Sequence, residues 1–414
     1  MNHYDVIVVG AGPAGLMAAG RAAELGGKVL VLEKMMREGS KLLITGKGRC
    51  NLTNNAPVSE FIKHVYPKGR FLRNAFNQFF SEDIIELLQR YGVDITLERG
   101  GRYFPTSGKS ADVLNGLLKW VHESGVEIQC GQRVEKLHIE DNSIKGLQAN
   151  GSMFSSDQII LAAGGNAYPA TGSNGEGYEL ARQAGHSINT VRPALVPLET
   201  EGETAKKLGG LKLKNVKAIV WVNRKKTKEA FGEMVFMEYG LSGPIILTLS
   251  RTVVDELNNG KRVEITIDLK PALDEQKLDR RLLRELDENG KKKISNVFPN
   301  LLPSAMIPVF MEKLEIDPDK ECHQVSSEER KKIRHLLKNF NFKITGFRSF
   351  KEAIITAGGV LTNEIFPKTM ESKLVNGLYF AGELVDLDAE TGGYNLQIAY
   401  STGWLAGNSC MDKM

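Results

Sequence analysis

The feature that most constrains this chain lies near its amino terminus. An apolar run, Val6-Ile7-Val8-Val9, ends on Gly10-Ala11-Gly12-Pro13-Ala14-Gly15 and continues into an alanine-rich stretch over 16–23. The β-branched run reads as a buried strand and the stretch after the glycines as helix. A second apolar run over 28–32 ends on Glu33. Strand, glycine turn, helix, strand and acid, in that order, form the fingerprint of a dinucleotide-binding unit. Gly10 permits the tight turn, Gly12 lets a pyrophosphate lie against bare backbone, and Gly15 lets the helix approach the strand. The free N–H groups and positive end of that helix receive the phosphate charge. Glu33 stands where a carboxylate accepts both ribose hydroxyls and repels a 2′-phosphate, so the nucleotide is FAD or NAD rather than NADP.

A chain of 414 residues is long for one domain, and length alone suggests two or three. The net charge of +4 is too slight to imply nucleic acid or a membrane surface. The first apolar run is the nucleotide-binding strand, no run reaches membrane-spanning length, and the expected location is the cytoplasm. Cys50, Cys130, Cys322 and Cys410 form no CxxC pair, and the seven histidines show no HxxxH or HExxH spacing. That argues against a structural zinc, an iron–sulfur cluster or a disulfide framework, so no metal is expected. Redox chemistry must then come from an organic cofactor.

After Glu33 comes a long polar, glycine-rich loop over 34–54 with the tools for an anionic cofactor: Lys34, Lys41 and Arg49 for phosphate and glycines for close approach. The alternative is a solvated basic loop. Helices follow over 70–80, 81–91 and 110–123, the last two opened by Ser81 and Ser110 as N-caps. Short alternating strands over 126–130, 132–139, 143–149 and 153–155 suggest a β-meander crossover. A buried parallel strand returns over 158–163 and closes on Ala163-Gly164-Gly165, ahead of another glycine-rich loop over 166–177.

From about Arg192 the pattern changes. Val216, Ala218, Val220 and Val222 alternate with polar neighbours, as do Val263, Ile265, Ile267 and Leu269, which marks half-exposed antiparallel sheet. Leu278, Leu282 and Leu286 then take helical spacing, as do Ile333, Leu336 and Leu337 in a basic helix whose charge reads as a solvated face. The expected division is a nucleotide-binding domain over 1–192 and 346–414, an inserted antiparallel β-domain over 193–271 and a helical cap over 272–345. Near the end come Gly382-Glu383, Thr391-Gly392-Gly393-Tyr394-Asn395 and a final helix over 396–407.

Assembled, these pieces resemble the two-dinucleotide-binding-domain flavoproteins. More closely, the chain is similar to the bacterial NAD(P)/FAD-dependent oxidoreductase family, the aminoacetone oxidase-like flavoproteins. The resemblance rests on Gly10 to Gly15 and on Lys41-Leu-Leu-Ile-Thr-Gly46-Lys-Gly48-Arg49-Cys50-Asn51-Leu-Thr53-Asn54. It continues through Gly101-Arg102-Tyr-Phe104-Pro105, Ala163-Gly164-Gly165, Gly240-Leu-Ser242-Gly243-Pro244 and the stretch from Gly382 to Gln397. It implies an α/β fold, a Rossmann-type FAD-binding domain with a parallel sheet and β-meander crossover, interrupted by a β-barrel-like domain and a small helical domain. It also implies FAD, with Gly10, Gly12, Pro13, Ala14 and Gly15 at the pyrophosphate and Glu33 at the adenosine ribose. Val134 would line the adenine pocket and Gly382-Glu383 meet the ribityl chain, Glu here replacing the commoner Asp. Gly392, Gly393, Tyr394 and Asn395 would bring a helix N-terminus to the flavin N1–C2=O edge, where reduction places negative charge.

Cys50 has two readings, a packing or cofactor contact and a thiol activated by Lys47 and Arg49; a single cysteine rules out a dithiol relay within this loop. Tyr168, Tyr239 and Tyr394 are either pocket or core, and Arg102 either binds an anion or braces its turn. There is no second strand–GxGxxG–helix unit, so a nicotinamide would dock only transiently. The expected activity is an FAD-dependent oxidoreductase moving hydride equivalents between a small molecule and NAD(P)H. The alternatives are an oxidase of a small amino ketone and a non-catalytic flavin sensor or RNA-associated flavoprotein.

Overall fold

A strand with four apolar residues in a row must be covered on both faces. Val6–Val9 (β1) is the middle strand of a five-stranded parallel sheet and is buried throughout. The order across the sheet is Leu378–Phe380, Gln158–Leu161, β1, Val29–Glu33 (β2) and Glu127–Cys130. Val6 lies opposite Gln158 on one side and Val29 on the other. Burying side chains of this size contributes about 1.5–3 kcal/mol each.

The computed structural model describes residues 3–412, in two compact units: residues up to Pro193 with those from Phe350 onward, and Ala194–Ser349. In the first unit, β1 leads through the glycine turn into the helix Pro13–Glu24 (α1), whose residues from Ala14 to Ala23 are almost all buried. Small residues on α1 let large neighbours close in. The Trp120 indole lies against Gly20, where an added Cβ would stand 2.5 Å from its ring. The C-terminal helix Tyr394–Met411 crosses so tightly that a Cβ on Gly403 would come within 2.2 Å of Ala14 O, and one on Gly407 within 2.3 Å of Ala18 O. This helix shows no apolar stripe because nearly every side of it is buried. Strands Val134–Glu140, Ser143–Ala149 and Ser152–Ser155 form the antiparallel meander.

Two local readings are corrected. Ser81 and Ser110 are not caps, since the N-cap positions belong to Phe80 and Lys109. Each hydroxyl instead donates to a carbonyl of the glycine-rich loop, Ser81 Oγ to Asn54 O at 2.8 Å and Ser110 Oγ to Leu43 O at 2.6 Å. Leu43 lies in the short helix Ser40–Ile44 and Asn54 in the two-residue strand Thr53–Asn54, elements too short to satisfy all their own carbonyls, and these serines do so. Asp83 takes over the capping by accepting from the Phe80 amide at 2.5 Å.

The second unit contains a closed six-stranded barrel in the order Leu198–Thr200, Gly240–Ser242, Lys225–Met237, Lys212–Val222, Val263–Asp268, Phe340–Phe347. Closure removes the exposed edges an open antiparallel sheet would carry. Helices Glu275–Glu288 and Ser327–Lys338 place Leu278, Leu282, Leu286, Ile333 and Leu337 in the same hydrophobic cluster as the barrel's Val220, Ile265 and Phe340. The helical stretch therefore shares the barrel's core. Among the described residues, no helix is long and apolar enough to cross a membrane.

Candidate cofactor site and its surroundings

Backbone shape comes first. Gly10 has φ of +103°, which a side chain rarely adopts, and Gly15 sits so close that a Cβ would lie 1.9 Å from Gly10 O. Gly12 differs from both, because nothing lies within 4 Å of where its Cβ would be. That open space stands at the N-terminus of α1, which no side chain caps and which Pro13 opens. First-turn amides of a helix have no partner within it, so this end suits a phosphate.

Three other segments converge on the same end of the sheet. Gly382, with φ of +71°, approaches Ala14 so closely that a Cβ would be 2.8 Å from the alanine methyl. Glu383 follows; its carboxylate accepts from the Thr356 amide at 2.7 Å and pairs with Lys41 Nζ at 2.5 Å. Thr356 Oγ1 in turn accepts from the amides of Asn166 and Ala167, tying down the loop that follows Ala163 and Gly164. Gly392 and Gly393 both have positive φ, and a Cβ on Gly393 would strike Thr53 O at 2.4 Å. Asn54 Nδ2 donates to Gly392 O at 3.0 Å, so the 41–54 loop and the turn before the C-terminal helix are fastened to each other. Asn395 braces that turn, its side chain exchanging hydrogen bonds with the amide and carbonyl of Ala389. No side chain caps the helix that begins at Tyr394.

Glu33, Lys34 and Val134 lie at the C-terminal end of β2, beside the glycine turn. The two oxygens of Glu33 accept from the amides of Ala11 and Met35, each at 2.8 Å. The Gln132 amide donates to Glu33 O, which holds the chain leading to Val134 beside it. Lys34 is engaged by Asn174 and by Glu176, at 2.9 Å for the latter, and Arg133 joins Glu176 at 3.1 Å. Burial works against ionising Glu176, yet these cations and the Asn174 amide hold its carboxyl below the usual range.

Arg49 and Cys50 separate from the rest. Arg49 pairs with Glu98 and lies over the Phe104 ring at 4.3 Å, half exposed to solvent. Cys50 is fully buried, and that burial pushes its thiol up to about 12, only partly offset by a hydrogen bond with Thr45. Of the two readings of Cys50, its burial favours the packing contact over a thiol activated by Lys47 and Arg49: Lys47 is exposed and Arg49 is held by Glu98 and Phe104, while the thiol faces the core. Asn51 is the polar group left over, its Oδ1 buried with no hydrogen-bond partner in the protein. An orphaned acceptor, an open Gly12 and two uncapped helix ends around one set of turns fit an extended dinucleotide.

Sequence reading missed Thr53, Thr356, His64, Tyr66 and Glu390. Thr53 Oγ1 bonds Gln397 at 2.7 Å and Ser81 at 2.9 Å, pinning the C-terminal helix to the loop. His64 Nδ1 meets Glu390 Oε2 at 3.0 Å, Tyr66 OH donates to Glu390 Oε1 at 2.8 Å, and the His64 ring stacks on Tyr394 at 4.6 Å between centroids. Only the neighbouring Thr391-Gly392-Gly393 hinted at Glu390. Elsewhere, Ser372, His186 and Glu364 line up like a hydrolase triad, with 2.7 and 3.2 Å links. Ser372 Oγ, however, accepts from the amides of Leu374 and Val375 and is buried with His186, so the group braces a turn.

The sequence profile described as the HI0933-like protein Rossmann domain matches residues 4–409. A 3-dehydro-bile acid delta(4,6)-reductase of Clostridium scindens is 34% identical over 417 residues, spanning 100% of both chains. A ribosomal RNA dihydrouridine synthase of Escherichia coli is 27% identical over 98% of this chain and 97% of its own. Among solved structures, a quinol–fumarate reductase with menaquinol molecules superposes with a TM-score of 0.53 at 16% identity, covering 100% of this chain and 72% of that one. That likeness is one of fold.

Proposed function

The chain belongs to the HI0933-like Rossmann family, and from that membership we propose that it is an FAD-dependent reductase of carbon–carbon double bonds conjugated to a carbonyl group, with NAD(P)H as the electron source. Bound FAD supplies the two-electron hydride chemistry. Gly10, Gly12, Pro13, Ala14 and Gly15 form the pyrophosphate turn, while Glu33 and Val134 border the adenosine. Ala163, Gly164, Gly382 and Glu383 flank the ribityl chain, with Lys41 neutralising Glu383. Gly392, Gly393, Tyr394 and Asn395 form the flavin edge. Cys50 backs the loop from the core, and Asn51 offers an acceptor to the cofactor. Lys34 and Arg49 act through their carboxylate partners, as loop braces rather than phosphate ligands.

The observation that carries this reading is the uncapped N-terminus of the buried helix Tyr394–Met411. Its first-turn amides favour negative charge and would stabilise the reduced form of a flavin held there. The relatives support the substrate class. One name describes reduction of ring double bonds in a 3-oxo bile acid and the other the saturation of a uracil ring, and both bonds are conjugated to a carbonyl. The higher identity to the bile-acid reductase favours a small polycyclic enone. A uracil within RNA is the second reading, supported by the dihydrouridine synthases of Escherichia coli and Haemophilus influenzae.

Anaerobic stopped-flow with the holoprotein tests it. NADH or NADPH should bleach the flavin band, and a 3-oxo-Δ4,6 bile acid should restore it. Bleaching by aminoacetone, with reoxidation by oxygen and no response to the dienone, would establish the amino ketone oxidase instead. Salt-dependent binding of ribosomal RNA with no response to the dienone would favour the second reading.

A further inference from the structure

Reduction of an activated double bond needs two deliveries. Hydride goes to the β-carbon, and a proton goes to the α-carbon as the enolate collapses. The geometry points to His64 as the acid that makes the second delivery, oriented by Glu390 and Tyr66, in the site proposed above for FAD and its substrate. This assignment rests on the ene-reductase reading and adds to it the group that moves the proton.

The arrangement is built, not incidental. The strand Val65–Tyr66 pairs antiparallel with Asp388–Ala389, with Tyr66 opposite Asp388 and Val65 opposite Ala389. The Glu390 amide continues the ladder by donating to His64 O at 3.1 Å. This short ladder fixes the imidazole and the carboxylate side by side, although the two residues are 326 positions apart. Glu390 Oε2 takes His64 Nδ1 at 3.0 Å, and its other oxygen takes the Tyr66 hydroxyl at 2.8 Å. A carboxylate on Nδ1 sets the tautomer and the ring's orientation, leaving Nε2 to hold or release the proton.

The ring is also positioned relative to the flavin edge. It stacks on Tyr394, with 22° between the ring planes, and Tyr394 is the first residue of the C-terminal helix. Phe61 meets the Tyr394 ring edge-on, at 4.6 Å between centroids. Tyr394 itself folds back over Gly392, where a Cβ would meet its ring at 2.7 Å. The Tyr394 ring therefore touches both the imidazole and the turn that carries the uncapped amides.

The neighbours decide which group donates. Tyr394 is a poor acid here, since burial first and then the charges of Glu390 and Glu60 hold its phenol above the ordinary tyrosine range. On the other side of the imidazole, Nε2 is 3.7 Å from Glu60 Oε1, beyond hydrogen-bond length. Glu60 is itself occupied by Lys63 at 2.6 Å. The His64 side chain keeps 30% of its exposure, so after a turnover the imidazole can be reprotonated from water. The balance is complete: one hydride and one proton add across C=C, NAD(P)H is oxidised to NAD(P)+, and the imidazole returns to its starting state.

The test uses holoprotein and two readouts. The first needs no substrate. The midpoint potential of bound FAD, followed against pH, should show a change of slope for a proton coupled to the flavin in wild-type protein. That break should vanish in His64→Gln. In the second, NADPH should reduce the flavin of His64→Gln at the wild-type rate. Reoxidation by a 3-oxo-Δ4,6 bile acid should slow about 100-fold or more, the size of a lost general acid, and Glu390→Gln should fall between. A potential curve unchanged by His64→Gln overturns the assignment, as does wild-type reoxidation in that variant. If the wild type ignores the dienone yet the break disappears in His64→Gln, the ene-reductase reading fails while the flavin-coupled imidazole stands.

Discussion

Replacing Gly12 by alanine separates the cofactor's need for glycine from the fold's. Gly12 has φ −79° and ψ 179°, an extended conformation that alanine adopts freely, and a Cβ there meets nothing within 4 Å. The empty protein should therefore fold as well as before, with about 0.4–1 kcal/mol in its favour from a less flexible unfolded chain. FAD should not tolerate the change, because the methyl occupies the space where phosphate oxygens reach the first amides of α1. A hydrogen bond to a charged group contributes about 1.5–3 kcal/mol, so losing one weakens binding by about 10- to 150-fold. At an FAD concentration about 100 times the wild-type Kd, the ligand stabilises the protein by about 2.7 kcal/mol. A hundredfold weaker variant at the same concentration keeps about 0.4 kcal/mol. Thermal unfolding with and without FAD reads both effects: an apo Tm equal to or above wild type and a nearly absent FAD-induced shift. Gly15→Ala is the contrast, since its Cβ would lie 1.9 Å from Gly10 O and the loss should appear without cofactor. A Gly12→Ala protein that takes up FAD with wild-type affinity, or that unfolds when empty, refutes the reasoning.

Three further outcomes follow from the packing. Gly403→Ala adds a Cβ 2.2 Å from Ala14 O, a backbone atom that cannot swing away; about 1–3 kcal/mol of overpacking should outweigh about 1 kcal/mol of helix propensity, and urea midpoints above wild type would contradict this. Cys50, with its thiol pushed up to about 12, should resist a disulfide reagent at pH 8 until the chain unfolds, and rapid native labelling that Cys50→Ala abolishes would show the thiol to be accessible. Burial lowers the pKa of His186, although Glu364 opposes it, so the native imidazole binds its proton later than the unfolded one on acidification. Its contribution is complete above about pH 6.5 and is lost as pH falls through the depressed native value, at no more than about 1.4 kcal/mol per pH unit. Urea midpoints of wild type and His186→Gln at pH 8, 6.5 and 5 should converge toward low pH, and a constant gap would remove the imidazole from the acid sensitivity.

What could be read from the chain depended on how local its cause was. The β1–turn–α1 fingerprint was legible because six residues fix their own geometry, and the barrel because period-two alternation is written along each strand. The partners of the cofactor loop were not legible. Lys41 meets Glu383 from 342 positions away, and Thr53 meets Gln397 from 344, so no spacing rule links them. Ser81 and Ser110 read as caps because a serine before an apolar run usually is one, but the loop's unpaired carbonyls were the stronger claim. The final helix extends from Tyr394 to Met411 rather than over 396–407, since burial on all sides leaves no amphipathic edge to mark its limits.

The glycines on the last helix also set an order of events during synthesis. Gly403 and Gly407 seat that helix on α1, which is synthesised long before it. Until translation has delivered that last helix, the alanine face of α1 has no permanent cover, and the intervening barrel can fold first around its own core. A chain that ends at Phe347 and has been released from the ribosome should therefore display a protease-resistant barrel and a nucleotide-binding half that is still open to cleavage and unable to retain flavin.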